Sequence, residues 1–224
     1  MPRIPESLHA LLANLIDYAG FYPPAGLPLP VVLENYEAYL ASAESWMLNR
    51  LVLPAAKLPE VRLRDKWRVT LLVEGEPGRL PAQVETLETR LPQRLSLATY
   101  CEAPIGAIGG GALAKVRTGG LTLEAIPSSE MLADFLSEAA SQRMAFKATA
   151  GLHHPMRSAT MHGSVNVFVA AAFAWQGAER GVILDVLNDG DAGAFCARRD
   201  FAHSFGSCSF TEPVADLRVL GWLA

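Results

Sequence analysis

Short apolar runs rich in branched residues recur along the chain, and turns or helix-like segments separate them. The runs are LIDYAG (15–20), RLVLPA (50–55), WRVTLLV (67–73), LSLATYCEAP (95–104), ALAKVRT (112–118), MAFKATAG (144–151) and AHSFGSCSF (202–210). Between them lie stretches with helical spacing: 31–43, 80–91, 127–142, 163–177, a helix and turn over 179–195, and a closing helix from 209. Ser128 and Glu130 mark a helix start, and Ser209-x-x-Glu212 reads as a capping box. Strand-then-helix alternation requires a parallel sheet with helices outside it. The pattern predicts one closed (β/α) barrel of the TIM-barrel type over residues 1–224, with a degenerate strand near 180–195; the alternative is an open doubly wound sheet. In both architectures the carboxyl-terminal ends of the strands carry the site.

Composition narrows the function classes. Half of the 224 residues are hydrophobic and 19% are charged, below the roughly 25% of an ordinary domain, which implies a large core. A net charge of −4 gives no general attraction to nucleic acid or to an anionic membrane. The apolar N-terminal stretch is interrupted by His9, Asn14 and Asp17, so neither a signal peptide nor a membrane span is expected. Cys101, Cys196 and Cys208 form no CxxC pair. A reducing, cytoplasmic setting without disulfides is the expectation. The apolar segment 163–177 reads as a helix buried on two sides and as a candidate subunit contact, which makes a homo-oligomer an expectation.

Two strands carry lysine, a residue that is costly to bury unpaired. In AFKATAG, alternation places Lys147 and Thr149 on one face, on what counts as about the sixth strand. An inward lysine near a strand's end is desolvated, and its neutral amine could attack a carbonyl. Otherwise it pairs with a barrel carboxylate or snorkels to the rim. In AKVRTGG, Lys115 and Arg117 share a face and Thr118, Gly119 and Gly120 follow, a pattern suited to cradling phosphate or carboxylate. Asp17 and Glu102, at predicted strand ends, are candidates to balance these lysines or to act as bases.

His153, His154 and His162 fall within one predicted loop and are candidates for proton transfer or for a divalent metal, although neither HxH nor HExxH spacing is present. Ser207 and Ser209, before the closing helix, could bind phosphate with the helix N-terminus, or Ser209 could simply cap that helix. Cys208 is a weaker candidate nucleophile, because no partner for it can be assigned. IGAIGGG lacks the spacing of a dinucleotide or P-loop fingerprint, so no cofactor is predicted.

AKVRTGG, FKATAGLHHP, MHG and FGSCSF, in that order, resemble a conserved bacterial family of unknown function. The resemblance covers most of the chain and implies that the lysine and histidine motifs belong together; it carries no activity. FKATAG separately resembles the lysine strands of Schiff-base aldolases built on barrels.

The resulting expectation is an enzyme of lyase, aldolase or isomerase type acting on a small anionic carbonyl metabolite, a sugar phosphate or keto acid. Lys147, His153, His154 and Glu102 would be catalytic. Asp17, Lys115, Arg117, Thr118, Gly119, Gly120, Thr149, Ser207 and Ser209 would bind substrate. Alternatives are a metal-dependent lyase or hydrolase using the histidines, and a non-catalytic anion-binding protein.

Overall fold

A computed structural model describes residues 6–189, 199 and 201–223. Eight parallel strands close into a barrel in sequence order: β1 (Ile16–Tyr18), β2 (Leu48–Pro54), β3 (Val69–Leu72), β4 (Val84–Thr89), β5 (Ala98–Cys101), β6 (Leu113–Arg117), β7 (Phe146–Thr149) and β8 (Ala202–Ser207). Closure pairs Ile16 with Phe205 and Asp17 with Gly206. The helices are α1 (Glu6–Leu12), α2 (Leu29–Leu40), α3 (Ser129–Ser141), α4 (Ser164–Trp175), α5 (Arg180–Asn188) and α6 (Thr211–Val219). This is the closed barrel of the leading expectation, not the open sheet.

Two elements differ from the sequence reading, and the differences are linked. Residues 80–91 are not a helix, because their centre is β4. The apolar residues Leu80, Val84, Leu87 and Leu91 have helical spacing, but the strand also alternates Val84, Thr86 and Glu88. The β3–β4 register shifts between the pairs Val69–Val84 and Thr70–Thr86, leaving Glu85 as an extra residue on β4 and breaking the strict two-residue period there. No degenerate strand is needed at 180–195, since 180–188 form α5; residues 190–195, like Cys196, lie outside the described residues. Lys147 therefore sits on the seventh strand, not the sixth.

Helical cover is uneven. From β2 to β6 the connections among the described residues are loops and short 3-10 turns (Ala55–Glu60 and Ile105–Ala107). Leu58, Val61, Leu63, Leu80 and Ile108 from these loops pack against the core. On the opposite side α3, α4 and α5 cover the barrel. Ser128 Oγ accepts a hydrogen bond from Met131 N and caps α3 as its sequence predicts. Helix α4 is apolar because it is enclosed within the chain: ten of its twelve residues are buried. The apolar character that pointed to a subunit contact is thus used internally. Cys101 and Cys208 are free thiols, and no described helix is long and apolar enough to cross a membrane.

The main apolar core lies between strands and helices, while the barrel's own interior is largely polar. Thr70 and Thr86 share a 2.7 Å hydrogen bond, and Tyr100 Oη lies 2.8 Å from His203 Nδ1. At the amino-terminal end, Arg50 and Arg68 both bind Glu85. At the opposite end the β6 and β7 strands run side by side, with Lys115 opposite Lys147 and Arg117 opposite Thr149.

The loops after those two strands meet backbone to backbone. A Cβ on Gly119 would lie 2.6 Å from the Cα of Gly151, and Gly151 itself has φ +77°. Gly119→Ala should therefore cost about 2 kcal/mol or more, whereas Gly75→Ala, with open space around its Cβ, should change stability by less than about 0.5 kcal/mol. Urea unfolding of both variants checks this; equal effects would contradict the close approach.

Candidate functional site

Six charged side chains form a ladder across the carboxyl-terminal half of the barrel. Lys147 is 1% exposed and binds both Asp17 and Glu88, its Nζ lying 2.5 Å from Glu88 Oε1. The other oxygen, Glu88 Oε2, lies 2.8 Å from Lys115 Nζ. Lys115 continues to Glu102 at 3.0 Å, and Glu102 reaches Arg117 at 3.2 Å. Carboxylate and cation alternate along the whole series, from the dry interior to the half-exposed Arg117.

Each buried charge in the ladder is paired and further hydrogen bonded, as burial requires. Asp17 accepts from Asn49 Nδ2 at 2.7 Å, the Arg50 backbone N–H at 3.2 Å and Ser204 Oγ at 2.8 Å. Burial alone would raise the Glu88 carboxyl, but Lys147 and Lys115 together hold it down at about 2. Burial would lower Lys147, yet Asp17 and Glu88 hold it above the ordinary lysine value. Glu102, opposed by its burial, is likewise lowered by Lys115 and then Arg117. Two carboxylates in contact with its Nζ thus favour the ammonium of Lys147 over the free amine.

Above the ladder, at the carboxyl-terminal ends of the strands, lies a cavity of about 590 Å³. Such a volume suits a small molecule. Of the residues singled out in the sequence, Lys115, Arg117, Gly120, Thr149 and His153 line it. Lys147 does not, and lies beneath the floor among its carboxylates. Asp17 and Glu102 also stand behind the lining, holding Lys147 and Lys115 respectively.

The remaining predicted residues do other work. Thr118 is buried and its hydroxyl donates to the Ala150 carbonyl, tying the two loops together. Gly119 is where those loops touch. Ser207 Oγ donates to the Ser209 carbonyl at 2.6 Å, and Ser209 Oγ accepts from Glu212 N at 3.1 Å near the start of α6. Ser207 and Ser209 are therefore turn and cap residues. Glu212 turns its carboxylate to His153 Nδ1 at 3.3 Å.

The histidines do not converge. His154 Nδ1 lies 2.5 Å from Asp216 on α6, away from the cavity. His162 is buried, with Nε2 2.7 Å from the Pro127 carbonyl and Nδ1 3.2 Å from Arg157. Among the described residues no three His, Cys, Asp or Glu side chains are grouped as metal ligands.

No family model, curated protein or solved structure matches this chain.

Three polar or charged lining residues were not singled out from the sequence. Glu88 was hidden by the helical reading of its strand. Tyr22, in the loop after β1, presents a hydroxyl that is buried without a hydrogen-bond partner. Burial, and then the nearby Glu88 charge, raise its pKa, so it is a neutral O–H donor. Arg90 follows β4 at the rim and pairs with no carboxylate among the described residues. Nothing in its local pattern distinguishes it from a surface arginine. Cys208 also lines the cavity, but burial raises its thiol pKa, which disfavours the thiolate.

The ladder links stability to pH with a definite sign. In the unfolded chain Glu88 takes up its proton near the ordinary value of 4.5, while in the folded protein it stays ionised down to about 2. Its contribution is complete above pH 4.5 and is lost as pH falls from there toward 2. Glu88→Gln should cost about 3 kcal/mol at pH 7 by leaving two buried ammoniums underpaired, and should flatten the acid limb. Urea unfolding between pH 7 and 2.5 measures both; an unchanged acid limb would contradict the pairing.

Proposed function

We propose that the protein is an enzyme that moves a proton next to the carbonyl of a small anionic substrate, a lyase, aldolase or isomerase chemistry proceeding through an enolate. The observation that carries this reading is the convergence of Lys115, Glu88, Tyr22 and His153 on one cavity at the strands' carboxyl-terminal ends, where barrel enzymes place their chemistry. Arg117, Arg90 and Lys115 supply positive charge for the substrate's anionic group. Lys115 and the unpartnered Tyr22 hydroxyl supply donors for the oxygen on which enolate charge develops. His153, its Nδ1 held by Glu212, keeps Nε2 for taking the α-proton.

In this reading Lys147 is a positioning residue. A Schiff base on it would require a neutral amine reaching substrate, whereas its Nζ is held as an ammonium by Asp17 and Glu88 below the cavity. The electrostatic role expected of a strand lysine passes to Lys115, one strand away. Glu102 holds Lys115 and does not itself move protons, and His154 takes no part.

Proton NMR in deuterium oxide tests the reading by following α-hydrogen exchange of 2-oxo acids with the full-length protein. Catalysed exchange is expected. Lys115→Met should slow it by about a hundredfold or more and Tyr22→Phe by at least about tenfold. Tyr22→Phe removes a hydroxyl that nothing in the fold bonds, so it separates chemistry from folding. Binding without exchange would favour the non-catalytic anion-binding alternative, and exchange indifferent to both substitutions would overturn the assignment.

A further inference from the structure

The cavity wall is divided by barrel order. On the arc from β1 to β3, the lining comes from Ala19, Tyr22, Pro23, Pro24, Val52 and Leu72. Tyr22 brings the single side-chain polar group on that arc among the described residues. On the arc from β4 to β6 the lining is charged: Glu88, Arg90, Lys115 and Arg117. After β6, β7 and β8 the lining is mixed, with apolar Leu121 and Met161 together with Thr149, His153 and Cys208. Leu121 is 72% exposed at the mouth.

Charge within the ladder that backs the polar arc is balanced. Asp17, Glu88 and Glu102 offset Lys147, Lys115 and Arg117. Arg90 is the cation left over. One uncompensated positive charge matches one negative charge on a ligand, and a planar guanidinium suits a carboxylate. A polyhydroxylated ligand would fare badly on the opposite arc. Its hydroxyls would be stripped of water against proline, valine and leucine and left unpaired, at about 1–3 kcal/mol each.

We infer that the substrate is a monoanionic 2-oxo acid bearing a compact apolar group, with the carboxylate on the β4–β6 arc and the apolar group against β1–β3. This rests on the proposed enolising function for the chemistry, but it concerns which ligand the walls accept. Within the broader expectation it selects an apolar oxo acid over a sugar phosphate.

Calorimetric titration of the full-length protein with phenylpyruvate, 4-methyl-2-oxopentanoate, pyruvate and fructose 6-phosphate tests the inference. The first two should bind at least about tenfold more tightly than pyruvate, which lacks the apolar group, and fructose 6-phosphate should bind most weakly. Leu72→Ser, on the apolar arc, should narrow the preference for phenylpyruvate over pyruvate, while Leu121→Ser, off that arc, should leave it unchanged; Arg90→Gln should weaken all three oxo acids together. Tighter binding of the sugar phosphate, no binding of any oxo acid, or a preference unmoved by Leu72→Ser would overturn the inference. The two proposals fail separately. Selective binding without α-hydrogen exchange leaves this inference standing and removes the enolising function; catalysed exchange with no preference for apolar groups does the reverse.

Discussion

One carboxylate sets the arrangement of the barrel's upper half. Glu88 gives one oxygen to Lys147 and the other to Lys115, two cations that strand pairing places opposite each other on β6 and β7. Two unit charges about 5 Å apart repel by about 3 kcal/mol at an effective dielectric near 20. Without an anion between them, neither strand could keep its lysine inward and ionised. The position of β4 in the closed barrel, rather than any local feature of the lysine strands, makes the pair tolerable.

That bridge divides the two lysines into different tasks. Lys147 is clasped from both sides, by Asp17 from β1 and Glu88 from β4, and it ties distant parts of the barrel wall together. Lys115 is clasped by Glu88 and Glu102 but also borders the cavity. A buried ion pair is weak evidence for stability, since desolvation offsets much of the attraction. Fixing an ammonium where a ligand can meet it is a better reason for a polar interior than strength of folding. Preorganised charge of this kind needs no rearrangement when an enolate forms.

The parallel barrel was legible in the sequence because seven of its eight strands are apolar runs with turn signals. The need for acidic partners was legible too, from the cost of burying lysine, and Asp17 and Glu102 do stand against Lys147 and Lys115. The shared acid was not. Glu88 lies on a strand whose leucines have helical spacing and whose inward face is polar, so its hydrophobic pattern reports the wrong period. The histidines misled in another way. Closeness in sequence put His153, His154 and His162 in one loop, but the chain turns Glu212, Asp216 and the Pro127 carbonyl toward them one at a time, and they part. Tyr22 and Arg90 depend on loop paths after β1 and β4, which no periodicity encodes. Such positions are where tertiary geometry decides function.

The protonation of Lys147 and its link to Lys115 through the shared Glu88 carboxylate are open to direct measurement. Side-chain ¹⁵N NMR of lysine-labelled protein, with signals assigned through Lys115→Arg and Lys147→Arg, reads the protonation state directly. Two slowly exchanging ammonium signals are expected at neutral pH, with the Lys147 signal persisting beyond the ordinary lysine range and both signals shifting in Glu88→Gln, if Glu88 bridges the pair. A neutral Lys147 amine at pH 7, or lysine signals indifferent to Glu88→Gln, would contradict it.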